Sequence, residues 1–477
     1  MRLLLVNPPK FNGIGVIRDD RCENVERNVV HPPLSLVYLT GILRDRGHSA
    51  MLLDMNGNDL GMAHLRAELS AERPDMVIFR STPSTFFHDC GVARLAKELG
   101  IETTMLNWNL SGFSAEALRL ESSIDAYVTA YGYEHVISAM MDSSDYYCMP
   151  GITFRDGDSI VENPPPRKPI PVGDIAQPPW DCIEDHRVFY TRAKAISPWG
   201  VVRGSKGCGF SCNFCRDCGI PWDGRSPELV VEEVRQLVDW HRVKYITFFD
   251  NTFTLKRDWA YAVADGMIDR GIEVKWFMNT RPDVLEDDMV KRLKEAGLDA
   301  VNLGAEAGTD DMLDAINKGF TVADTRNSIQ VLKDNGVKVF LALMMGMPGE
   351  TADQMRATRD LVLETKPHGF QFNIVTPYPR TPLYEDCVRA GLIDHSLNWN
   401  TMSCVPTGLK ETVSLAAIPS DELIALRQRF YWRLYLSPSY ILPNIWWTVN
   451  HPADLKMAVS YAWGMLSNLY HKGAYTH

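Results

Sequence analysis

Two trains of short apolar strands alternating with amphipathic helices, separated by a stretch too rich in proline for either, limit what this 477-residue chain can fold into. Parallel neighbours need a crossover of a dozen or more residues, and a helix is its usual form. Up to about residue 145 the strands read as Leu3–Val6, Met51–Asp54, Met76–Phe79, Glu102–Leu106 and Ala126–Val128, with helices such as Leu34–Arg46 and Phe86–Leu99 between them. This α/β pattern predicts a doubly wound, Rossmann-like parallel sheet over 1–147, with any ligand at the carboxyl ends of its strands. Over 148–198, Pro164, Pro165, Pro166, Pro169, Pro171, Pro178 and Pro179 oppose regular helix, and an extended linker is expected. From Trp199 six further strand–helix units are read, with strands near Val201–Gly204, Tyr245–Phe249, Val274–Met278, Ala300–Leu303, Val337–Met344 and Gly369–Val375. Six units fall short of the eight of a closed TIM-type barrel, so 199–390 is expected to form an open partial (β/α)6 barrel with its active groups at the carboxyl strand ends.

Residues 391–477 read as a helical extension rich in aromatics, among them Phe430, Tyr431, Trp432, Tyr435, Trp446, Trp447, Tyr461, Trp463 and Tyr470. Most are expected to pack on the barrel. Trp446 and Trp447, set between Pro443 and Pro452, are candidates for a peripheral membrane contact or an apolar substrate wall. The composition, 45% hydrophobic and 23% charged, is that of a globular chain with room for sizeable cores. A net charge of −11 argues against nucleic acid as the main partner, since polyanion binding needs a basic face. Ten irregularly spaced cysteines without a signal peptide predict a reducing, cytoplasmic setting. No apolar run approaches the roughly 18 residues of a spanning helix.

The chemistry concentrates in Gly207-Cys208-Gly209-Phe210-Ser211-Cys212-Asn213-Phe214-Cys215. A four-iron cluster takes one thiolate per iron, so a loop supplying Cys208, Cys212 and Cys215 leaves one iron open to a bidentate small molecule. Phe210 and Phe214 would shield such a cluster from water. Cys218 lies a further Cys-x-x-Cys interval along, so a four-thiolate zinc site is the competing reading. A cluster that only senses or carries electrons is a third.

The three-then-two spacing resembles the radical S-adenosylmethionine (SAM) superfamily. That resemblance implies a 4Fe-4S cluster whose open iron binds the amino and carboxylate groups of SAM, and reductive cleavage of SAM to a 5′-deoxyadenosyl radical. It also implies SAM contacts at successive strand ends: Phe249 and Asp250 in Phe248-Phe249-Asp250-Asn251-Thr252, Arg281 in Asn279-Thr280-Arg281, and Glu306 in Gly304-Ala305-Glu306. Gly346 and Pro348 in Gly346-Met347-Pro348-Gly349-Glu350, and Tyr378 in Thr376-Pro377-Tyr378-Pro379-Arg380, would flank the adenine. Arg380 stands where the family usually has glycine.

A doubly wound domain ahead of such a barrel resembles the subgroup with an amino-terminal cobalamin-binding domain, which includes methylases and the anaerobic cyclase of chlorophyll biosynthesis. Asn7-Pro8-Pro9 and His31-Pro32-Pro33-Leu34-Ser35-Leu36 look like its opening. The resemblance covers roughly residues 1–390. It implies cobalamin contacts among Asn7, Asp54, Arg80, Ser81, Thr82, Asn107 and Tyr131. The chain departs from the subgroup at Leu106-Asn107-Trp108-Asn109-Leu110-Ser111-Gly112 and at Ala130-Tyr131-Gly132-Tyr133-Glu134, and it lacks the Asp-x-His-x-x-Gly motif of histidine-on cobalamin proteins. The activity implied by the resemblance is cobalamin-dependent methylation of an unactivated carbon in a small metabolite, with an electron donor such as flavodoxin or ferredoxin. A radical SAM oxidative cyclase or ring-rearranging enzyme is the alternative.

Overall fold

The computed structural model describes residues 1–19, 23–25, 29–107, 112–129, 131–143, 145–166, 177–183, 190–192, 196–393 and 414–450, with positions 455 and 459. Trp108 to Ser111, Ala130, Pro169, Pro171, Tyr461, Trp463 and Tyr470 lie outside them. The first sheet has seven strands: β1 (Arg2–Asn7), β2 (Ser49–Asp54), β3 (Met76–Arg80), β4 (Glu102–Leu106), β5 (Ala126–Val128), β6 (Ile152–Asp156) and β7 (Ser159–Glu162). Their order is β7-β6-β5-β4-β3-β1-β2, and β2, β1, β3, β4 and β5 run parallel. Helices cover both faces, which explains the unbroken Leu3-Leu4-Leu5-Val6 run. Leu4 and Val6 enter one core, Leu3 and Leu5 the other.

One expectation needs correction. The stretch from 148 does not run directly into an extended linker, because β6 and β7 form a hairpin that adds an antiparallel edge to the first sheet beyond residue 147. Its signal is present in Ile152-Thr153-Phe154-Arg155-Asp156-Gly157-Asp158-Ser159-Ile160-Val161, where Gly157-Asp158 separates two alternating runs. Gly157 has φ +58°, the left-handed backbone such a turn demands. The prolines that come directly after it mask that signal.

The second sheet contains β8 (Trp199–Val202), β9 (Tyr245–Phe248), β10 (Lys275–Thr280), β11 (Leu298–Glu306), β12 (Lys338–Met345) and β13 (Gly369–Ile374). All neighbours are parallel and in sequence order. The crossover helices have strong local starts: Thr321 with Asp324, and Thr351 with Gln354, make reciprocal capping boxes. The edge at β13 is covered by helix Ser420–Tyr435, since the Phe372 N–H donates to the Tyr431 hydroxyl (2.9 Å) and its carbonyl accepts from Arg427 (2.7 Å). Phe430, Tyr431, Tyr435 and Tyr440 stack around Phe370 and Phe372, while Trp432 and Trp446 stay exposed. Among the described residues no helix is long and apolar enough to cross a membrane.

The two sheets share packing. Leu34, Val37 and Tyr38 of helix Leu34–Asp45 belong to the core of the second sheet. Buried beside them, Arg225 donates to the Tyr38 hydroxyl (2.7 Å) and to Glu233 (2.5 Å), Tyr38 donates to Glu233 (2.8 Å), and the Trp180 indole donates to Glu233 (3.2 Å). Both charged side chains have no solvent exposure. Removing one partner of such a pair leaves an uncompensated charge in the interior. Glu233→Ala is therefore expected to lower the unfolding free energy by about 3–5 kcal/mol, measured as a fall in the urea midpoint at unchanged slope.

Candidate functional site

Short strands Ser205–Lys206 and Asp223–Gly224 pair and close a loop that carries every cysteine of the motif. Backbone bonds hold its neck: the Cys208 and Gly209 N–H groups both donate to the Ile220 carbonyl, at 3.1 and 2.8 Å. Gly207 is required there, with φ +73° and the Pro221 carbonyl oxygen overlapping the place where a Cβ would sit. The tip is pinned to the turn after the fourth unit. Asn213 bonds the Ile316 carbonyl through its N–H (3.1 Å) and the Ala315 carbonyl through its side chain (2.9 Å), and Asn317 donates to the Ser211 carbonyl (2.8 Å).

Cys208, Cys212 and Cys215 face one cavity of about 260 Å³, whose wall also includes Phe214, Thr252, Asn279, Arg281, Asn302, Glu306 and Lys318. Cys218 is not part of that wall. Among the described residues no three Cys, His, Asp or Glu side chains converge on a point suited to a single metal ion. Thiols that approach one cavity from separate positions suit ligands of different irons in one cluster better than ligands of one zinc. The donor set, three thiols on one cavity with Cys218 off its wall, therefore fits a three-thiolate cluster. Burial, reinforced by Asp217, pushes the Cys215 thiol up to about 12. An iron would have to supply the charge that stabilises its thiolate.

Two cations stand beside the thiols. Arg281 is buried, lies 3.5 Å from the Cys212 sulfur, caps the Phe210 ring with its guanidinium 3.6 Å from the centroid, and is held by Asp283 (2.9 Å) and the Lys318 carbonyl (2.5 Å). Lys318 places its ammonium 2.9 Å from Glu306 Oε1 and 5.5 Å from the Phe214 ring centroid. Burial by itself lowers the Lys318 pKa, but the Glu306 carboxylate and the Cys212 sulfur together outweigh it and hold the pKa above its ordinary value. Glu306 sits at φ +59° in a bulge of β11, which turns its carboxylate into the cavity. Gly304 leaves it room, because a Cβ there would lie 2.8 Å from Glu306 Oε1.

Of the residues singled out from sequence, the cavity brings together the three cysteines, Phe214, Arg281 and Glu306. Asp250 is fully buried and off the wall: it accepts from the Gly204 N–H (3.2 Å) and the Ser205 hydroxyl (2.5 Å), fixing the path from β8 into the cysteine loop. Phe249 packs 5.7 Å from His31 at the contact with the first domain. Gly346 and Pro348 lie off the wall, in a turn organised by Glu350, which accepts from the Gly346 (2.7 Å) and Met347 (3.1 Å) N–H groups. Tyr378 stacks under Arg216, 4.6 Å from its guanidinium, and so connects the last strand end to the loop. Sequence reasoning missed Lys318, Thr252 and Asn302. Lys318 comes after Asn317 in a turn far from any strand end, and only the docking of the cysteine loop on that turn reveals it.

In the first domain Asn7 donates to Asp54 (2.7 Å), Asp54 accepts from Tyr190 (2.7 Å) and the Gly57 N–H (2.9 Å), and Asn107 donates to the Ser81 carbonyl (2.9 Å). Thr82 bonds Ser84 and Thr85 at 3.1 and 3.0 Å. Arg80 lies over the Tyr133 ring, and Lys206 approaches the Tyr131 ring at 5.4 Å and that of Tyr133 at 4.7 Å. Glu134 accepts from Arg203 (2.9 Å) and Lys206 (2.8 Å), all buried. Strand-end loops of both sheets thus meet, with hydroxyl and amide groups gathered where a polar ligand of the first sheet would sit. His31 is buried with Nδ1 on the Pro32 carbonyl (2.7 Å) and Nε2 without a partner among the described residues.

Residues 202–362 match the model of the radical SAM superfamily. Over 468 residues, 96% of this chain and 97% of the relative, the sequence is 27% identical to a protein named uncharacterized methyltransferase PH0819 from Pyrococcus horikoshii. It is also 27% identical to the anaerobic magnesium-protoporphyrin IX monomethyl ester cyclase of Rubrivivax gelatinosus, across 81% of this chain and 70% of that one. The fold is similar to that of the radical SAM methyltransferase TsrM from Kitasatospora setae, solved with cobalamin and a [4Fe-4S] cluster bound, with a TM-score of 0.65, 19% identity, and coverage of 81% of this chain and 76% of the other.

The Glu350 carboxyl, which shapes the turn after β12, is pushed up by burial from 4.5 to about 7. The native group keeps its proton to near pH 7, whereas an unfolded one loses it near 4.5. Native stability therefore falls as pH rises through that window. Glu350→Gln should escape the loss, gaining on the parent by up to about 3 kcal/mol between those limits, as read by urea unfolding at a series of pH values.

Proposed function

For a chain whose residues 202–362 belong to the radical SAM superfamily, we propose the function of a cobalamin-dependent radical SAM methyltransferase acting on an unactivated carbon of a small metabolite. The observation that carries the reading is the single cavity lined by Cys208, Cys212 and Cys215 together with Arg281, Lys318 and Glu306. When bound, the cluster and SAM supply one-electron cleavage chemistry and the corrin supplies a transferable methyl group. The central domain is proposed to act as a partial (β/α)6 barrel over 199–390, with the cavity at its carboxyl strand ends.

The chain's own residues then have these roles. Cys208, Cys212 and Cys215 hold the cluster and leave one coordination position free. Arg281 and Lys318 offset the negative charge of cluster and thiolates; Lys318 can receive the SAM carboxylate, and Arg281 would do so by exchanging Asp283 for it. Glu306 is placed to accept ribose hydroxyls, which requires Lys318 to share it. Phe210 and Phe214 exclude water from the sulfurs. Gly346, Pro348 and Tyr378 shape the barrel rim on the adenine side, while Asp250 and Phe249 support it from behind. In the first domain Ser81, Thr82, Asn107 and Tyr131 are the proposed corrin contacts; Asn7 and Asp54 brace the strand ends. Electrons would come from an external donor such as flavodoxin or ferredoxin.

The similarity to a cyclase supports a second reading, an oxidative cyclisation without methylation. Product mass separates the two, with a gain of one methyl group only in the first. Replacing Cys208, Cys212 or Cys215 by alanine should abolish both the iron–sulfur absorbance and 5′-deoxyadenosine formation, while Cys218→Ala retains both. Loss of absorbance in Cys218→Ala as well would overturn the three-ligand assignment. A reconstituted protein that binds no corrin and never passes label from methyl-labelled SAM to product would overturn the methyltransferase reading.

A further inference from the structure

Helix Pro438–Asn450 contains no charged residue. Its packed side is Tyr440 against Phe370 and Trp447 against His368. On the other side Leu442, Ile445, Trp446 and Val449 are between 53% and 72% exposed. Their spacing of three, four and seven residues makes them one continuous apolar stripe. Such a stripe in water is unfavourable and marks a contact surface.

Immediately before this helix, Ser420–Tyr435 presents Arg429, Trp432, Arg433 and Leu436 along one edge of a groove of about 500 Å³, with Arg356 and Arg359 on the facing helix. Arg356 is paired with Asp353 and Arg359 with Asp360 (2.6 Å). Among the described residues Arg429 and Arg433 form no ion pair. In a chain of net charge −11, two uncompensated guanidiniums beside exposed tryptophan and leucine are a local reversal of sign. The chain's own residues 451–477 carry one acid, Asp454, against Lys456 and Lys472, and so do not complement the arginines.

We propose that this face is a docking surface for an anionic lipid membrane. The apolar stripe enters the headgroup boundary, with Trp432 and Trp446 at interfacial depth, and Arg429 and Arg433 meet the phosphates. Neither element alone suffices: a short apolar helix binds weakly, and two arginines add only about fivefold each. Their adjacency makes the combination selective for an apolar surface with negative charge. Trp447 packs on His368, directly before the amino end of β13, whereas the cysteine cavity is lined by residues at the carboxyl ends of the parallel strands, Thr280 and Glu306 among them. This inference is independent of the chemistry proposed above.

The test is co-sedimentation of the reconstituted full-length protein with phosphatidylcholine vesicles, with or without about one-third phosphatidylglycerol. Binding should be at least about tenfold tighter to the anionic vesicles and should weaken as salt is raised. Arg429→Gln with Arg433→Gln should remove most of that preference, and Trp446→Ser should weaken binding to both vesicles, while iron–sulfur absorbance and circular dichroism stay unchanged. Equal or absent sedimentation with the two vesicle types overturns the proposal, as does anionic-vesicle binding that neither variant affects. A dimer in sedimentation velocity that Trp446→Ser disperses, without vesicle binding, would assign the stripe to a second copy of the chain and overturn it equally.

Discussion

Glu134 between Arg203 and Lys206 is the contact on which the rest of the arrangement turns. Three charges are taken out of water at the meeting of two sheets, and Lys206 stands two residues before Cys208. A buried carboxylate shared by two cations tolerates little displacement, since separation breaks both ion pairs where water cannot replace them. The first domain therefore fixes where the cysteine loop begins. Arg225, Glu233 and Tyr38 do the same for the docking of helix Leu34–Asp45. Polar contacts of this kind specify one orientation where apolar packing alone would accept several.

The cavity shows a second economy of charge. Lys318 and Glu306 neutralise one another inside the wall while Arg281 is already committed to Asp283 and to the Phe210 face. A ligand bringing both a carboxylate and hydroxyls can exchange with the Lys318–Glu306 pair without leaving either charge bare. A ligand bringing only one would strand the other, so under the proposed function the buried pair would discriminate by the cost of incomplete exchange.

Much of this was legible in the chain. The parallel strands were readable because burial on both faces demands continuous apolar runs, as in Leu3-Leu4-Leu5-Val6, and the cysteine spacing was readable because the loop chemistry is local. The hairpin Ile152–Glu162 was overlooked although Gly157-Asp158 announces it, since adjacent prolines suggested a linker. Asp250 shows what a strand-end position leaves open: its carboxylate lies off the cavity wall and accepts from the Gly204 N–H and the Ser205 hydroxyl.

The sequence by itself determined most of the strands and helices and that the thiols of one loop lie close together, because these depend on periodicity, on glycine at positions no side chain can occupy, and on spacing within one loop. Only the tertiary structure decided which polar residues surround those thiols. Lys318 reaches them because Asn213 and Asn317 bond the cysteine loop to a turn about a hundred residues away, and the bulge at Glu306 aims its carboxylate at the same space. Side-chain direction at such positions depends on contacts between segments distant in the chain, and no local pattern encodes it.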